Sequence, residues 1–251
     1  MKKTLLALGL AATFAASAGG YAPAGESINK NLEKEFFAGY GISQTNHNQS
    51  ILLNSTSGLT NHYKSDSYNA GSYLLGFGVS KYYKTLSNGM KVYFGAEVSY
   101  LQNDNLSGNI RPATNLAPNI DPLRYHFRLD SAAVLVNAKI VKENVLKSWD
   151  GYLKVGLGGS YNHLSNYHET IPPGSGSAPM LAPFASHNNF DLAFSAGVGV
   201  SKELKNGKLE AGYRYLNNGR ARLGTTTVQT TSQTIKTGMI GSHMVEVKFI
   251  V

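Results

Sequence analysis

The chain contains no cysteine among its 251 residues. Disulfide scaffolds, thiolate metal centres and cysteine nucleophiles are therefore excluded. Charge is also scarce: 15% of residues are Asp, Glu, Lys or Arg, against roughly 25% in soluble globular proteins. The formal net charge is +8, yet no Lys/Arg cluster is dense enough for a nucleic-acid partner, and none is expected. Beyond the first residues there is no long apolar run, which excludes membrane-spanning helices. Disorder does not fit either, because aromatic and β-branched residues recur throughout. What is abundant is glycine, at 27 residues, and tyrosine, at 15.

Residues 1–18 follow the secretory pattern. Lys2 and Lys3 precede a short apolar stretch, Thr4 to Phe14, and Ala16-Ser17-Ala18 offers a small-residue cleavage site. Residues 19–34 read as a tether with a helical turn in Ile28 to Glu33, and 35–251 as the folded domain. An exported protein is expected.

From Glu35 the pattern switches to period two, the signature of strands. Eight segments alternate: Phe36–Ser43, Tyr73–Tyr83, Lys91–Leu101, Tyr125–Ile140, Trp149–Tyr161, Phe190–Ser201, Leu209–Leu216 and Met244–Val251. The fourth is the least clean, since Ala132 to Val136 blur its two faces, and a bulge or register slip is expected in 125–140. Long and short connections alternate without exception. Short ones carry the turn dipeptides Asn88-Gly89 and Asn206-Gly207. Long ones (Gln44 to Asn69, Asn103 to Arg124, Asn162 to Asn188, Asn217 to Gly238) are polar, almost uncharged and expected to be mobile. An up-and-down antiparallel meander gives this rhythm.

The faces decide which side points inward. One face carries Tyr73, Leu75, Phe77 and Val79, then Val92, Phe94, Ala96, Val98 and Tyr100; the other carries Gly76, Gly78 and Ser80, then Gly95, Glu97 and Ser99. A soluble barrel would cover its exterior with Lys, Glu and Thr. Glycine and serine suit a crowded interior, and an aliphatic-aromatic face suits lipid. Aromatics gather near strand ends, as in Tyr40, Tyr83, Trp149, Tyr161 and Tyr215, where interfacial girdles lie. The fold class expected is all-β, an eight-stranded antiparallel up-and-down transmembrane β-barrel with long extracellular loops. A soluble lipocalin-like barrel is the alternative.

Residues 35–251 resemble the small eight-stranded outer-membrane barrels, the OmpA transmembrane-domain and Opa-like group. The run Gly212-Tyr213-Arg214-Tyr215-Leu216-Asn217-Asn218-Gly219 is similar to a late strand of that group. The last strand, His243 to Val251, resembles the C-terminal signal read by the barrel-assembly machinery, with Val245, Val247, Phe249 and Val251 on one face; it ends on valine where an aromatic is usual. The resemblance implies the outer membrane of a Gram-negative bacterium, with membrane lipids and lipopolysaccharide as neighbours, the long loops outside the cell and the short turns in the periplasm. No domain is expected after the last strand.

On this register the strand charges Glu97, Arg128, Asp130, Lys154, Asp191, Glu210, Arg214, Glu246 and Lys248 point into the lumen. So nearly balanced a set, in so narrow a space, should pair into a structural plug; a gated polar channel, or an acid/base pair at Glu210 and Glu246, is the weaker reading. Lysines crowd the short turns: Lys81, Lys84, Lys91, Lys139, Lys142, Lys147, Lys202, Lys205 and Lys208, against Glu143 and Glu203. Of these, Lys81, Lys84, Lys142, Lys147, Lys205 and Lys208 are expected to form a rim against anionic headgroups, or simply to keep exposed turns soluble.

Catalytic motifs fail on context. Ser242 and His243 adjoin in a strand and so face opposite ways, with no aligned acid. His163, His168 and Glu169 lack a fixed metal geometry, and Gly156-Leu157-Gly158-Gly159 lies mid-strand, not before a helix. No enzyme activity, cofactor or metal is expected. A structural or recognition role through the four loops, towards a host or surface ligand, is the preferred reading, ahead of a narrow pore and a lipid-modifying enzyme.

Overall fold

The computed structural model describes residues 32–45, 49–54, 60–65, 68–103, 106–111, 123–171, 184–227 and 233–251. The expected leader and residues 19–31 lie outside the described residues. Within them, eight strands form the wall: β1 (Leu32–Thr45), β4 (Tyr68–Thr85), β5 (Lys91–Asn103), β7 (Leu123–Leu146), β8 (Trp149–Thr170), β10 (His187–Leu204), β11 (Gly207–Asn217) and β13 (Ile240–Ile250). Five shorter ones fall in the long connections: β2 (Gln49–Asn54), β3 (Thr60–Ser65), β6 (Leu106–Arg111), β9 (Phe184–Ala185) and β12 (Gly224–Thr225).

Each wall strand pairs antiparallel with its neighbour in the wall, and β1 pairs with β13 to close the ring. Closure leaves no free edge in the wall. The eight wall strands are those the alternation predicts, but the first begins earlier than expected. Leu32 to Lys34 belong to β1, not to a tether or helical turn. The reason is pairing: the Lys34 amide donates to the Val251 carbonyl at 2.8 Å, and the Val251 amide to the Lys34 carbonyl at 3.0 Å.

The tight turns share one end. Gly89 sits at φ +79° and Gly207 at +149°, conformations that disfavour any side chain. At the opposite end, β2 pairs with β3, β3 with β6 and β6 with β7, so two long connections extend the wall as a sheet. The fourth folds back on itself through Leu223 N–Ile235 O (2.9 Å) and Thr237 N–Ala221 O (2.7 Å). In their described parts the first two of these connections form strands, and the fourth is tied by backbone hydrogen bonds, where mobile polar coils are expected from composition. They order because their inward residues are apolar, which a composition average conceals.

In β7 the pairing with β8 is continuous from Arg128 to Lys142; the irregularities flank this stretch, between His126 and Arg128 and between Lys142 and Leu146. Ala133, Leu135, Asn137 and Lys139 are therefore buried, while Val134 and Val136 face out, Val136 at 67% exposure. The remaining wall obeys the same inside-out rule. Leu75, Phe94, Leu157, Leu192, Val245 and Val247 are exposed, while Ser80, Glu97, Lys154 and Arg214 are buried.

Candidate functional site in the lumen and the long-loop sheet

The interior is filled in layers, and strand periodicity sets them. On β8, inward residues run Tyr152, Lys154, Gly156, Gly158, Ser160, Asn162 and Leu164 from the short-turn end upward. The lowest layer packs Tyr93, Val141 and Tyr152. Above it lie four carboxylates, Glu35, Glu97, Glu210 and Glu246, and four cations, Lys139, Lys154, Arg214 and Lys248, each no more than 6% exposed. Lys154 donates to Glu97 at 2.7 Å and to Glu35 at 3.1 Å; Lys139 donates to Glu210 at 3.0 Å and to Glu35 at 3.4 Å. Lys248 Nζ stands 3.1 Å from Glu35 and 3.5 Å from Glu246. Arg214 bridges Glu246 at 2.9 Å and Glu97. Glu35 is the hub, touched by three lysines and by the Ser80 hydroxyl at 2.8 Å. Equal numbers of each sign make the network neutral overall, and the cross-linking offsets the desolvation that isolated charges would suffer.

The next layer is apolar: Phe37, Leu74, Leu101, Ala133, Leu135, Ala193, Leu216 and Met244. Phe37 caps the charges, its ring centre 5.3 Å from the Arg214 guanidinium carbon and 5.5 Å from Lys248 Nζ. Opposite it stands Gly76, where any Cβ would overlap that ring. A polar belt follows, with Ser43–Ser242 at 2.6 Å, Ser131 donating to Asn162 at 2.6 Å, and Asn162 donating to the Asn218 carbonyl at 2.7 Å. Uppermost is the largest apolar cluster. Leu53, Tyr63, Leu106, Ile110, Leu123, Tyr125, Phe127, Leu129, Leu164, Phe184, Leu223, Ile235 and Ile240 join there from the wall and the long connections alike. Tyr63 (3.2 Å) and Tyr167 (2.8 Å) both donate to one oxygen of Glu169. Burial, and then the Glu169 carboxylate, pushes both hydroxyls well above the ordinary phenol range and keeps them donors.

Of the nine charges assigned to the lumen, the structure gathers Glu97, Lys154, Glu210, Arg214, Glu246 and Lys248. Arg128 and Asp130 are corrected. They pair with each other at 3.1 Å on the outer wall, because unbroken alternation places them on the side of Val134 and Val136. Asp191 stays out of the network too; it accepts from the Arg220 amide at 2.7 Å and holds the turn at Gly219. Sequence reasoning missed Glu35, which it placed at a strand start, and Lys139, which it placed on the turn rim. Alternation was the available signal for both: Glu35 is in phase with Phe37, and Lys139 with Leu135. Lys139 is 1% exposed, its four-carbon stem carrying the ammonium inward.

At the short-turn end, Lys81, Lys84, Lys142, Lys147 and Lys205 are exposed. Lys208 instead turns towards the mouth, 3.6 Å from Glu33. Lys202 lies over the Trp149 ring at 5.4 Å and Lys84 over Tyr83 at 5.4 Å. Val245, Val247, Phe249 and Val251 share the outer face of the last strand and its end. Ser242 points inward, while His243 faces out to the Tyr213 hydroxyl at 2.5 Å. His163 contacts Asn188 at 2.6 Å, and His168 stacks on His126 with centres 5.3 Å apart.

A barrel with charged, polar and apolar layers filling its lumen and a broad apolar band on its outer wall is suited to lipid. It has the architecture of the small outer-membrane barrels. Among solved structures, the chain is similar to Neisserial surface protein A (14% identity, 88% of this chain and 96% of that one, TM-score 0.44). It is similar to the outer membrane protein OprG from Pseudomonas aeruginosa (12%, 90% and 99%, TM-score 0.44). A third is Ail, the attachment invasion locus protein of Yersinia pestis, in complex with the heparin analogue sucrose octasulfate (13%, 88% and 99%, TM-score 0.38). No protein-family model matches the sequence, and no curated protein does.

Proposed function

We propose that the chain is an outer-membrane barrel of a Gram-negative bacterium. In this reading it conducts no solutes, and it acts through its long-loop end as a surface recognition platform. The observation that carries this is the succession of charged, apolar and polar layers that the described residues place in the interior, beneath a sheet whose own core holds the described parts of the long connections. A pore needs a continuous polar path, and here two apolar layers interrupt it. A binding surface needs positioned side chains, and the ordered strands β2, β3 and β6 lower the entropy cost of using theirs. The exposed lysines of the short turns, with Trp149 and Tyr83, suit the inner leaflet, where basic side chains attract anionic headgroups. The outer face of the last strand suits the assembly machinery as its partner during biogenesis.

The test is single-channel conductance of the folded barrel, its folding verified by a heat-dependent shift in gel mobility. Wild type is expected to be silent, and Glu97→Gln or Lys154→Gln should stay silent because the apolar layers persist. Stable openings would replace this reading with the narrow pore. For the recognition half, cells expressing the chain should adhere to an epithelial monolayer better than cells expressing a variant lacking residues 49–65. Equal adherence would remove that half.

A further inference from the structure

We infer that Ser165, His163 and Asn188 form a hydrolytic site on the outer wall that cleaves a carboxylic ester of a membrane lipid. Strand register assembles it. His163 and Ser165 stand two residues apart on β8, on the outward side that also carries Leu157 and Tyr161. Asn188 is the partner of His163 on β10, and Arg128 is the partner of Ser165 on β7. Asp130 stands opposite His163 on β7. The group lies at the base of the long-loop sheet and acts whether or not that end recognises a surface ligand.

The contacts assign the roles. His163 Nδ1–H donates to Asn188 Oδ1 at 2.6 Å, which leaves the Nε2 lone pair free to act as a base. An asparagine can orient the histidine of a hydrolytic triad in this way. Two residues along a strand span roughly 6.8 Å, a gap that an imidazole and a hydroxyl on one face close between them, and such contacts tighten when substrate binds. Arg128, held by Asp130 at 3.1 Å, brings a guanidinium onto the row of Ser165, where it can stabilise an oxyanion. A break in the wall falls at the same place. Between the pairs Arg128–Ser165 and His126–His168, β7 takes two steps and β8 takes three. Asn166, next to Ser165, sits at φ +55°, and His168 Nδ1–H donates to its carbonyl at 2.9 Å. Left-handed backbone is uncommon outside glycine, and bulges of this kind re-aim side chains beside active sites.

Depth selects the substrate. Directly below the site, Tyr161 and Phe190 meet with ring centres 4.9 Å apart, and Phe190 is 82% exposed. Further down, Leu157 and Leu192 face out as well. His163 lies one outward step above Tyr161, roughly 5 Å along the membrane normal at ordinary barrel tilt. Acyl chains therefore lie against the leucines while the ester carbonyls, at the edge of the hydrocarbon, stand beside Ser165. Ser165 Oγ attacks the carbonyl carbon as His163 Nε2 takes the hydroxyl proton. The carbon–oxygen bond to the lipid alcohol then breaks, and His163 returns that proton to the leaving oxygen. Water, deprotonated by the same nitrogen, attacks the acyl-serine; the fatty acid leaves and the hydroxyl is restored. Ester and water become fatty acid and lyso-lipid.

The test folds the full barrel into vesicles of phosphatidylethanolamine and phosphatidylglycerol, and separately into vesicles that also hold lipopolysaccharide. Released fatty acid is measured, and a fluorophosphonate probe reports the reactive serine. Wild type should release fatty acid from at least one lipid, and the identity of that lipid names the source of the ester. Ser165→Ala, verified as folded by its heat-dependent gel shift, should lose both release and labelling. His163→Gln should slow release at least roughly a hundredfold. Asn188 acts through His163, so Asn188→Ala should lower kcat about tenfold with KM unchanged, and Asn188→Asp should restore it. A merely structural asparagine would show no such rescue. No release from either lipid would overturn the assignment. So would release that survives in Ser165→Ala, or labelling of a different serine.

Discussion

The two halves of the lumen solve the same problem with opposite chemistry. Near the short turns, the space between eight strands is filled by four carboxylates and four cations that neutralise one another. Near the long loops it is filled by leucine, isoleucine, tyrosine and phenylalanine. The lower half has no mobile chain to draw upon, so long polar side chains must reach across from fixed walls. In the upper half the connections themselves bring apolar residues into the space. Charged filling suits a rigid ring of known diameter; apolar filling suits segments that must be pulled into place.

The contrast makes the lower half the more brittle. Glu35→Gln should give the largest effect, since it leaves three buried lysines short of their shared carboxylate. Breaking such a pair costs about 3–5 kcal/mol, and equilibrium unfolding in lipid should register it across the whole barrel. A loss below about 1 kcal/mol would mean that water enters the network. Ile110→Ala in the upper half should cost about 2–4 kcal/mol, and the loss should be local. Hydrogen exchange should quicken in β2, β3 and β6 while the wall stays protected and the heat-dependent gel shift survives. If the wall loosens equally, the two halves are one cooperative unit.

Smaller effects sharpen the boundary. The exposed pair Lys91–Glu143 lies at the short-turn mouth, outside the network, and Glu143→Gln should change stability by less than about 1 kcal/mol. The weakest effect is acid-dependent. Burial, and then His168 and Arg124, hold His126 below its ordinary value of 6.5. The folded state therefore takes up that proton at lower pH than the unfolded chain does. The stability this group contributes is present above the ordinary imidazole range and is lost as pH falls through it. Exchange in the long-loop sheet should quicken slightly between pH 7 and 5, and His126→Gln should flatten that response.

Much of this was legible beforehand. Period-two alternation located all eight wall strands, and the identities of Phe77, Phe94 and Val247 against Gly78, Glu97 and Glu246 placed lipid outside. Two features were not legible in that way. Arg128 and Asp130 were assigned inward because a charge in a strand suggests a lumen, yet on β7 the phase is set by Leu135 and Lys139. The loops were judged by average polarity, which hides Leu53, Ile110, Phe184 and Ile235 among many Asn, Ser and Thr.

By itself the sequence determined the wall strands, because period-two alternation is a local property that each strand carries along its own length; the closure of β1 on β13 joins the two ends of the chain. Only the tertiary structure decided what fills the barrel. Which lysine meets Glu35, and which loop residues meet Leu164, depends on contacts between segments distant in the chain, and no local period encodes a partner across the barrel.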